Sequence, residues 1–341
     1  MALLEKLVPK AKAAYKTIVL PEGMDPRVAQ AAAKTLAGKI AKVKVLATSD
    51  EWKKSCEGVS FPAGGDLEVI DWNTSPLRAE FASKYAAMRA AKGKPIAADE
   101  ALKLMGDRLY FGNMMVQTGL ADGLVAGSIA STGDMLRAAF QVVGTAKGIK
   151  LGSSCFIMEL KTPAPTGDDV LLFADCAVNP NPTAEQLVDI ALATVSTHRA
   201  LIGGQARVAF LSFSSYGSAK HELVDKVKTA VELTKAKAKE LGITDDVAIF
   251  DGDMQADAAI VAKVGASKCK GSSVAGKANI LIFPDLQAGN ICYKLVERLA
   301  GAQAVGPFIQ GAAKPVNDLS RGCSSDEIAA TIVVTCCQAI G

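Results

Sequence analysis

Two patterns of apolar residues alternate along the chain. Short apolar runs at 17–20, 42–47 and 122–127 are typical of buried strands, whereas the stretches between them carry apolar residues every few positions, as helices with one apolar face do. Asp25 is the expected N-cap of the first helix. Strands that alternate with helices predict a parallel sheet covered on both faces. The predicted helices of this half are 26–36, 77–91, 99–105, 110–119 and 131–143.

The pattern changes near Leu151. Two apolar segments, 154–160 and 170–178, are joined by a linker with two prolines, and this arrangement predicts a β-hairpin. We therefore predict an α/β protein of two domains, the first formed by 1–150 plus 311–341 and the second by 151–310. The further predicted elements are 183–201, 207–213, 222–241, 247–251, 256–264, 279–284, 289–299, 303–309 and the last helix, 328–340.

The composition agrees with this fold class. Half of the 341 residues are hydrophobic and only 5% are aromatic, which predicts a core of Ala, Val, Ile and Leu, as in parallel α/β proteins. The 38 basic and 35 acidic residues are well mixed and leave a net charge of +3. Neither a nucleic acid nor a charged membrane surface is therefore an expected partner.

Targeting signals and metal-ligand patterns do not stand out. No apolar stretch reaches the roughly 18 residues that a membrane helix needs, and residues 1–16 lack the features of a signal peptide. We therefore expect a cytoplasmic protein with no membrane partner. The eight cysteines have neither C-x-x-C nor zinc-ligand spacing, so we expect most of them to be small buried side chains in a reducing compartment.

Segment 320–327 concentrates reactive side chains near the C-terminus. It reads Ser-Arg-Gly-Cys-Ser-Ser-Asp-Glu and leads into the last predicted helix. A helix N-terminus suits an anion, and Arg321 adds a forked cation matched to phosphate or carboxylate. Asp326 or Glu327 could accept a proton beside that anion. On residue types alone, plain helix capping is the simpler explanation, because Ser324 and Glu327 have capping-box spacing.

Three other segments suit a ligand, and one of them, 283–290, follows a buried strand. Residues 127–137 follow an apolar strand and open a helix, with small residues that let backbone approach a ligand and hydroxyls at Ser128, Ser131 and Thr132 that can bind phosphate oxygens. Residues 88–93 end a helix with basic side chains. Because ligands of open α/β sheets bind at the carboxyl ends of strands, residues 127–137 and 283–290 are expected at such ends.

Two other patterns are set aside. Residues 271–277 match the start of a Walker A loop, but Ala278 replaces the magnesium-binding hydroxyl and the segment precedes a strand instead of following one. Asp251, Asp253 and Asp257 could hold magnesium at the end of a strand. Capping by solvated carboxylates is the simpler interpretation, so we predict no metal site.

Taken in order, several short motifs resemble those of phosphate acetyltransferases, also called phosphotransacetylases. Each motif alone is weak, but their order and spacing are specific, and the Walker-like segment belongs to the same pattern. The resemblance extends over nearly the whole chain. The motifs are Pro21-Glu22-Gly23, Tyr110-Phe111-Gly112, Ala121-Asp122-Gly123, 131–137, Asn179-Pro180-Asn181-Pro182, 274–279, 283–290 and 320–323.

This resemblance implies reversible acetyl transfer between acetyl-coenzyme A and phosphate, giving acetyl phosphate and coenzyme A, in acetate metabolism. We expect direct attack of the coenzyme A thiolate on acetyl phosphate. Coenzyme A is then a substrate, and no bound cofactor is expected. The resemblance also implies two α/β domains around a cleft, a fold related to the isocitrate and isopropylmalate dehydrogenases, and a homodimer. A phosphate butyryltransferase-like acyltransferase is the alternative.

The resemblance also assigns residues. Ser320 and Arg321 match the catalytic Ser-Arg pair of the family, and Arg137 and Arg89 match two further arginines that bind substrate. Arg137 and Arg89, together with the hydroxyls of segment 127–137, make up the expected substrate-binding set.

Two features of segment 320–327 stay open. The family's base is typically an Asp at the eighth position, where this chain has Glu327 preceded by Asp326, so either carboxylate could take the thiol proton. Cys323 is placed with the substrate-binding residues as a small residue in a tight turn, and an acetyl-cysteine intermediate is the less favoured alternative. Outside this segment, at the start of the helix predicted at 131–143, Gly133 and Ala138 replace the Ala and Pro that are usual in the family.

Overall fold

The computed structural model describes residues 2–340, and the chain folds into two compact units. Unit 1 contains the residues up to Gly144 and those from Ala312 onward, and unit 2 is the continuous segment Thr145–Gly311. The domain limits predicted from the sequence, at 150 and 311, differ from these by a few residues. The α/β class is confirmed, because each unit contains its own sheet with helices.

Strands and helices alternate over most of the described residues. None of the helices in this range is both long and apolar enough to cross a membrane. The strands are β1 (Thr17–Leu20), β2 (Lys42–Leu46), β3 (Leu67–Ile70), β4 (Gly123–Ala126), β5 (Ser153–Glu159), β6 (Val170–Ala174), β7 (Ala206–Leu211), β8 (Ala248–Met254), β9 (Ile280–Ile282), β10 (Gln303–Gln310) and β11 (Val316–Asp318). The helices are α1 (Ala2–Ala14), α2 (Pro26–Ala37), α3 (Ser49–Ser55), α4 (Leu77–Ala91), α5 (Ala98–Leu104), α6 (Arg108–Thr118), α7 (Thr132–Val142), α8 (Ala184–Leu201), α9 (Glu222–Glu240), α10 (Ala256–Ile260), α11 (Ala262–Lys268), α12 (Leu286–Ala300) and α13 (Ser325–Gln338).

Unit 1 is built on a five-stranded parallel sheet in the order β11-β4-β1-β2-β3. Strand β4 is buried at every position, and β1 at all but its first. Continuously apolar central strands are what a parallel sheet covered on both faces requires, so the prediction of a parallel sheet is confirmed. Helices α4 and α6 help to build this core, where the rings of Phe81 and Phe111 lie 5.0 Å apart.

Strand β11 brings the end of the chain into unit 1. It pairs in parallel with β4 and places Asp318 opposite Ala126. Helix α13 then packs against β4 so closely that a Cβ atom at Gly123 would lie 2.5 Å from Thr335 Cγ2. The turn after β11 and the loop after β4 therefore start side by side at the carboxyl edge of the sheet.

Unit 2 contains a six-stranded mixed sheet in the order β10-β5-β6-β9-β7-β8. Strands β6, β9, β7 and β8 pair in parallel, whereas β5 pairs antiparallel with both β6 and β10. The predicted hairpin is confirmed as β5 and β6, with Cys155 opposite Ala174. The rings of Phe173 and Phe283, 5.3 Å apart, pack in the core of this unit.

The apolar pattern does not predict α3, β3 or β11. Strand β3 lies at the edge of its sheet with Glu68 and Val69 exposed, so it lacks the apolar run of a buried strand. Strand β11 also lacks an apolar run, because Asn317 and Asp318 are polar although they are buried. The extent of the predicted helix 256–264 is wrong, since Val261 is extended (φ −107°, ψ 111°) and separates α10 from α11.

Two helical glycines give a test of the packing. A Cβ at Gly289 of α12 would lie 2.3 Å from the carbonyl oxygen of Asp175, whereas at Gly133 of α7 the nearest atom would be 3.8 Å away. We expect Gly289→Ala to lower the free energy of unfolding by about 1–3 kcal/mol through overpacking. Gly133→Ala should raise it by up to about 1 kcal/mol. Urea unfolding followed by circular dichroism measures both, and equal effects would contradict the packing at α12.

Candidate active site in unit 1

The loop after β4 closes around a carboxylate of its own unit. Glu22, in the turn after β1, is 4% exposed. It accepts hydrogen bonds from four successive backbone N–H groups, of Gly127 (2.8 Å), Ser128 (2.8 Å), Ile129 (3.1 Å) and Ala130 (2.7 Å). It also accepts one from the Ser128 hydroxyl at 2.9 Å. The backbone N–H groups of this loop and the Ser128 hydroxyl, which are predicted from the sequence as phosphate ligands, are therefore hydrogen-bonded to Glu22.

The other two predicted hydroxyls also have internal partners. Ser131 is the N-cap of α7, where its Oγ accepts from the Asp134 backbone N–H at 3.2 Å and donates to the Asp134 carboxylate at 2.7 Å. Thr132 Oγ1 donates to Asp318 Oδ2 at 2.5 Å. Phosphate binding by Ser131 and Thr132 stays a prediction, and each hydroxyl would have to release its partner first.

Asp318 is a buried carboxylate of this site that the sequence does not reveal. It is 5% exposed and lies at the end of β11, just before Ser320. Burial, reinforced by the negative charge of Glu22, raises its pKa from 3.8 to about 6. It also lies against Gly127, which has a φ of +113° and where a Cβ would be 2.2 Å from Asp318 Oδ1, so only glycine fits there.

Arg27 connects the start of α2 to the predicted reaction segment. Its Nη1 donates to the backbone oxygens of Arg321 and Cys323, both at 2.8 Å, and its Nη2 donates to the oxygen of Ser128 at 3.0 Å. The Asp25 carboxylate holds the guanidinium at 2.7 Å. The N-cap predicted at Asp25 is confirmed, but nothing local in the sequence indicates the role of Arg27.

Segment 320–327 forms a turn and the start of α13, as predicted. Ser320 and Arg321 are exposed. Ser324 is the N-cap, and it forms a capping box with Glu327: its Oγ accepts from the Glu327 backbone N–H at 3.2 Å, while Glu327 Oε2 accepts from the Ser324 N–H at 2.7 Å and from its hydroxyl at 2.9 Å. The capping explanation is confirmed. Within residues 2–340, Glu327 Oε1 has no hydrogen-bond partner.

Asp326 faces a different neighbour. Its carboxylate pairs with Lys34 of α2 at 2.6 Å, and Lys34 also donates to the Ser325 hydroxyl at 2.9 Å. The Asp326 side chain is 80% exposed, so the pair adds at most about 1 kcal/mol to stability. The two candidate bases therefore differ in their surroundings, since the Asp326 carboxylate pairs with a cation, whereas the Glu327 carboxylate accepts hydrogen bonds from Ser324.

Two predicted arginines act on one carboxylate. Arg137 Nη1 pairs with Asp134 Oδ1 at 2.8 Å, and both side chains are exposed. A hydrogen bond from the Ser131 hydroxyl, together with the positive charges of Arg137 and Arg321, keeps the pKa of Asp134 below its usual value. The positive charges of Arg137 and Arg321 therefore both act on Asp134, within unit 1.

The third predicted arginine, Arg89, lies at the end of α4. Burial raises the pKa of Tyr85 and of Tyr110, and the positive charge of Arg89 opposes this rise at both hydroxyls. Arg137 acts on Tyr110 in the same way. The two hydroxyls donate to a shared oxygen of Gln141, at 3.1 and 2.9 Å. Arg89 and Arg137 thus lie within electrostatic range of the same group.

Cys323 is enclosed by the turn. It is 5% exposed, and its backbone N–H donates to the Ser320 oxygen at 3.0 Å. Burial raises the pKa of the Cys323 thiol above its ordinary value. A buried thiol of raised pKa is a poor nucleophile, because the thiolate is the reactive form. The geometry agrees with a small residue in a tight turn.

The carboxylates set aside in unit 2 have partners within that unit. Asp251 accepts hydrogen bonds from the hydroxyls of Tyr216, at 2.6 Å, and Ser272. Asp257 pairs with Lys268 at 3.0 Å. In the part of the chain that the structure describes, no cluster of three or more His, Cys, Asp or Glu has a geometry that could hold a metal ion.

Comparison with known proteins identifies the class of this chain. The family described as Phosphate acetyl/butaryl transferase matches residues 2–336. A phosphate acetyltransferase of Thermoanaerobacterium thermosaccharolyticum is 49% identical over 341 residues, which cover 99% of this chain and 100% of that protein. The solved structure of the EutD phosphotransacetylase from Staphylococcus aureus superposes with a TM-score of 0.89 at 38% identity, covering 99% of this chain and 98% of that one.

These matches define an acyltransferase enzyme. The chain belongs to the phosphate acetyl/butaryl transferase family, as its motifs predicted. A putative 4-hydroxythreonine-4-phosphate dehydrogenase of Salmonella typhimurium shares the fold alone, with a TM-score of 0.54 at 10% identity over 95% of this chain and 99% of that one. The fold is therefore shared with a protein named as a dehydrogenase.

Asp318 predicts a pH-dependent contribution to stability. Its pKa is raised from 3.8 to about 6 in the folded protein, so between these values the folded state binds the proton more tightly than the unfolded state. Stability should therefore fall by about 2–3 kcal/mol as the pH rises through this window. Asp318→Asn removes the titration, so the difference in unfolding free energy between the two proteins should change by this amount between pH 4 and pH 7.

Urea unfolding at several pH values measures this difference. Asp99→Asn, at an exposed position of α5, is the matched control and should leave the pH profile unchanged. A pH-independent difference between the wild type and Asp318→Asn would contradict the raised pKa.

Proposed function

We propose that this acyltransferase catalyses reversible acetyl transfer between acetyl-coenzyme A and phosphate, giving acetyl phosphate and coenzyme A. The observation that carries the proposal is the ion pair of Arg137 with Asp134, a carboxylate on which the positive charge of Arg321, next to the exposed Ser320, also acts. The full-length relative named phosphate acetyltransferase supports acetyl over butyryl as the transferred group.

Arginine side chains supply the phosphate contacts in this proposal. The N–H groups of the loop after β4 are bound by Glu22, so they are not free for a substrate. Arg137 and Arg321 can each form a forked, charge-assisted pair with phosphate oxygens, and the phosphate would replace Asp134 between them. Arg89, in electrostatic range of the same Tyr110 as Arg137, serves as the further substrate-binding residue.

Glu327 is the better candidate for the base. A coenzyme A thiol with a pKa of roughly 8.5 has only a small thiolate fraction at neutral pH, so a proton acceptor accelerates the attack. Proton transfer to an ordinary Glu is uphill by about 5–6 kcal/mol, and the nearby charge of Arg321 would reduce this by favouring the thiolate. Asp326 is the weaker candidate because its carboxylate is already held by the Lys34 ammonium group, at 2.6 Å.

The reaction then needs one displacement at the acetyl carbon. The thiol proton moves to Glu327, and the thiolate sulfur forms a bond to the carbonyl carbon of acetyl phosphate. Ser320 donates a hydrogen bond to the developing oxyanion. The carbon–oxygen bond to phosphate breaks, and the phosphate leaves with its charge held by Arg321 and Arg137. No enzyme-bound acetyl group is required, in keeping with the burial of Cys323.

The remaining expectations also belong to this proposal. Coenzyme A takes part as a substrate, without a bound cofactor, and the enzyme acts in the cytoplasm. A homodimer is proposed from the family resemblance. Its support in this chain is a stripe of exposed apolar side chains at helical spacing on α12, Ile291, Leu295 and Leu299, because such patches commonly mark protein interfaces.

Arg321 gives the first test. We expect Arg321→Ala to lower the kcat for thioester formation from coenzyme A and acetyl phosphate by about 100-fold or more, because a cation that stabilises developing charge is lost. The fold should survive, since the side chain is exposed. Arg199→Ala, at an exposed position of α8, is the control and should retain activity. Full activity of Arg321→Ala, or a wild type that forms butyryl thioester faster than acetyl thioester, would count against the proposal.

The two carboxylates give the second test. We expect Glu327→Gln to lower kcat by about 100-fold, the range typical of a lost general base, and to remove the acidic limb of the pH–rate profile. Asp326→Asn should leave most of the activity, because that side chain pairs with Lys34. Steady-state kinetics over a pH series distinguishes the two. The reverse ranking would transfer the role of base to Asp326.

A further inference from the structure

All five N–H donors of the Arg27 guanidinium have acceptors. Nη1 donates to the oxygens of Arg321 and Cys323, both at 2.8 Å. Nη2 donates to Ser128 O at 3.0 Å and to Asp25 Oδ2 at 2.7 Å, and Nε donates to the same carboxylate at 3.1 Å. The acceptors come from three segments that are far apart in sequence. Only the planar five-donor fork of arginine satisfies them together.

Asp25 fixes the guanidinium on the side of α2. Its carboxylate is 5% exposed and also caps α2 by accepting from the Arg27 backbone N–H at 2.9 Å. Burial raises the pKa of Asp25, but the hydrogen bonds from Arg27 outweigh this effect and hold the pKa below its usual value. The pair therefore stays charged, and Arg27 has little freedom to leave its acceptors.

The turn that Arg27 holds has few restraints of its own. Within it, the Cys323 N–H donates to Ser320 O at 3.0 Å, and the Gly322 N–H donates to Ser320 Oγ at 3.4 Å. Ser320, Arg321 and Gly322 are exposed, and a Cβ at Gly322 would meet no atom within 4 Å. Arg27 is thus the group that ties the backbone on both sides of Gly322 to the rest of unit 1.

We propose that Arg27 is a positioning residue for acetyl transfer, which it serves by fixing the Ser320–Cys323 turn against the loop after β4. The inference rests on the proposed function, because it assigns Arg27 the task of setting where Ser320 and Arg321 meet the substrate. The Arg27 side chain itself is turned to backbone oxygens and to Asp25. It therefore acts through the turn and not on the reacting atoms.

Arg27→Met tests this role, with Arg27→Lys as a second variant that keeps a charge but has three donors from a single nitrogen. We expect both to lower kcat by about 10- to 100-fold, the range for a displacement of roughly 1 Å at a reacting centre, with a much smaller change in the KM values. Arg108→Met is the matched control, because Arg108 is also a half-buried arginine of unit 1 that pairs with a carboxylate, Glu51, at 2.5 Å. It should lower Tm without this loss of kcat.

A double-mutant cycle separates positioning from general destabilisation. In an Arg321→Ala background, Arg27→Met should lower kcat by a smaller factor than it does in the wild type, because one of the two side chains whose positions it sets is gone while Ser320 remains. Arg108→Met should have the same effect in both backgrounds. Hydrogen exchange of the amides in residues 320–324 should accelerate in Arg27→Met and not in Arg108→Met.

The outcomes are distinguishable. If the wild type forms no acetyl thioester, the proposed function fails, and the positioning role fails with it. If the wild type is active and a folded Arg27→Met retains its kcat, or its loss multiplies in full with that of Arg321→Ala, only the role of Arg27 is overturned. Unchanged hydrogen exchange at residues 320–324 would likewise overturn it.

Discussion

The carboxylate of Glu22 accepts hydrogen bonds from four successive backbone N–H groups where β4 ends. The geometry of the site depends on this arrangement. Buried N–H groups without partners would cost about 1–3 kcal/mol each, and an ionised acceptor gives shorter and stronger bonds than a neutral one. The loop therefore has a fixed shape before any substrate arrives. The four N–H groups of the loop are also occupied by Glu22, so an incoming anion must be recognised by side chains.

Charges in unit 1 are arranged in two layers around this loop. In the inner layer, Glu22, Asp25 and Asp318 are buried, and Arg27 balances part of the charge of Asp25 and Glu22 while it donates to backbone oxygens of two distant segments. In the outer layer, Arg137 and Arg321 are exposed, Arg137 pairs with Asp134, and the positive charge of Arg321 acts on the same carboxylate. The inner layer fixes the backbone, which leaves the outer arginines available to a ligand. The proposed function therefore assigns substrate recognition to other groups than those that stabilise the loop.

The sequence predicts the parts of this structure that local patterns encode. Apolar runs give the strands β1, β2 and β4, and the spacing of Ser324 and Glu327 gives the capping box. Strand β11 escapes because its Asn317 and Asp318 are polar, and its strand conformation depends on pairing with β4, far away in sequence.

The partners of Glu22 and Arg27 escape prediction for the same reason. The family motif marks Glu22 without revealing what it binds, and no spacing rule links Arg27 to the backbone oxygen of Arg321. Contacts between distant segments depend on the register of the sheet, which the apolar pattern of a single strand does not specify. The motif resemblance supplied the arginines and the Ser-Arg pair, and the structure supplied their surroundings.

The order of strands in unit 1 has a consequence for how the molecule comes into being. Strand β11 and helix α13 come from the end of the chain, whereas their neighbours β4 and α2 precede the whole of unit 2. During synthesis, domains fold as they emerge from the ribosome, and unit 2 is continuous, so it can complete its fold while unit 1 still lacks a strand. The edge of β4 stays open until β11 has been made. The surroundings of Glu22 and Arg27 are therefore completed only after all of unit 2 has been made.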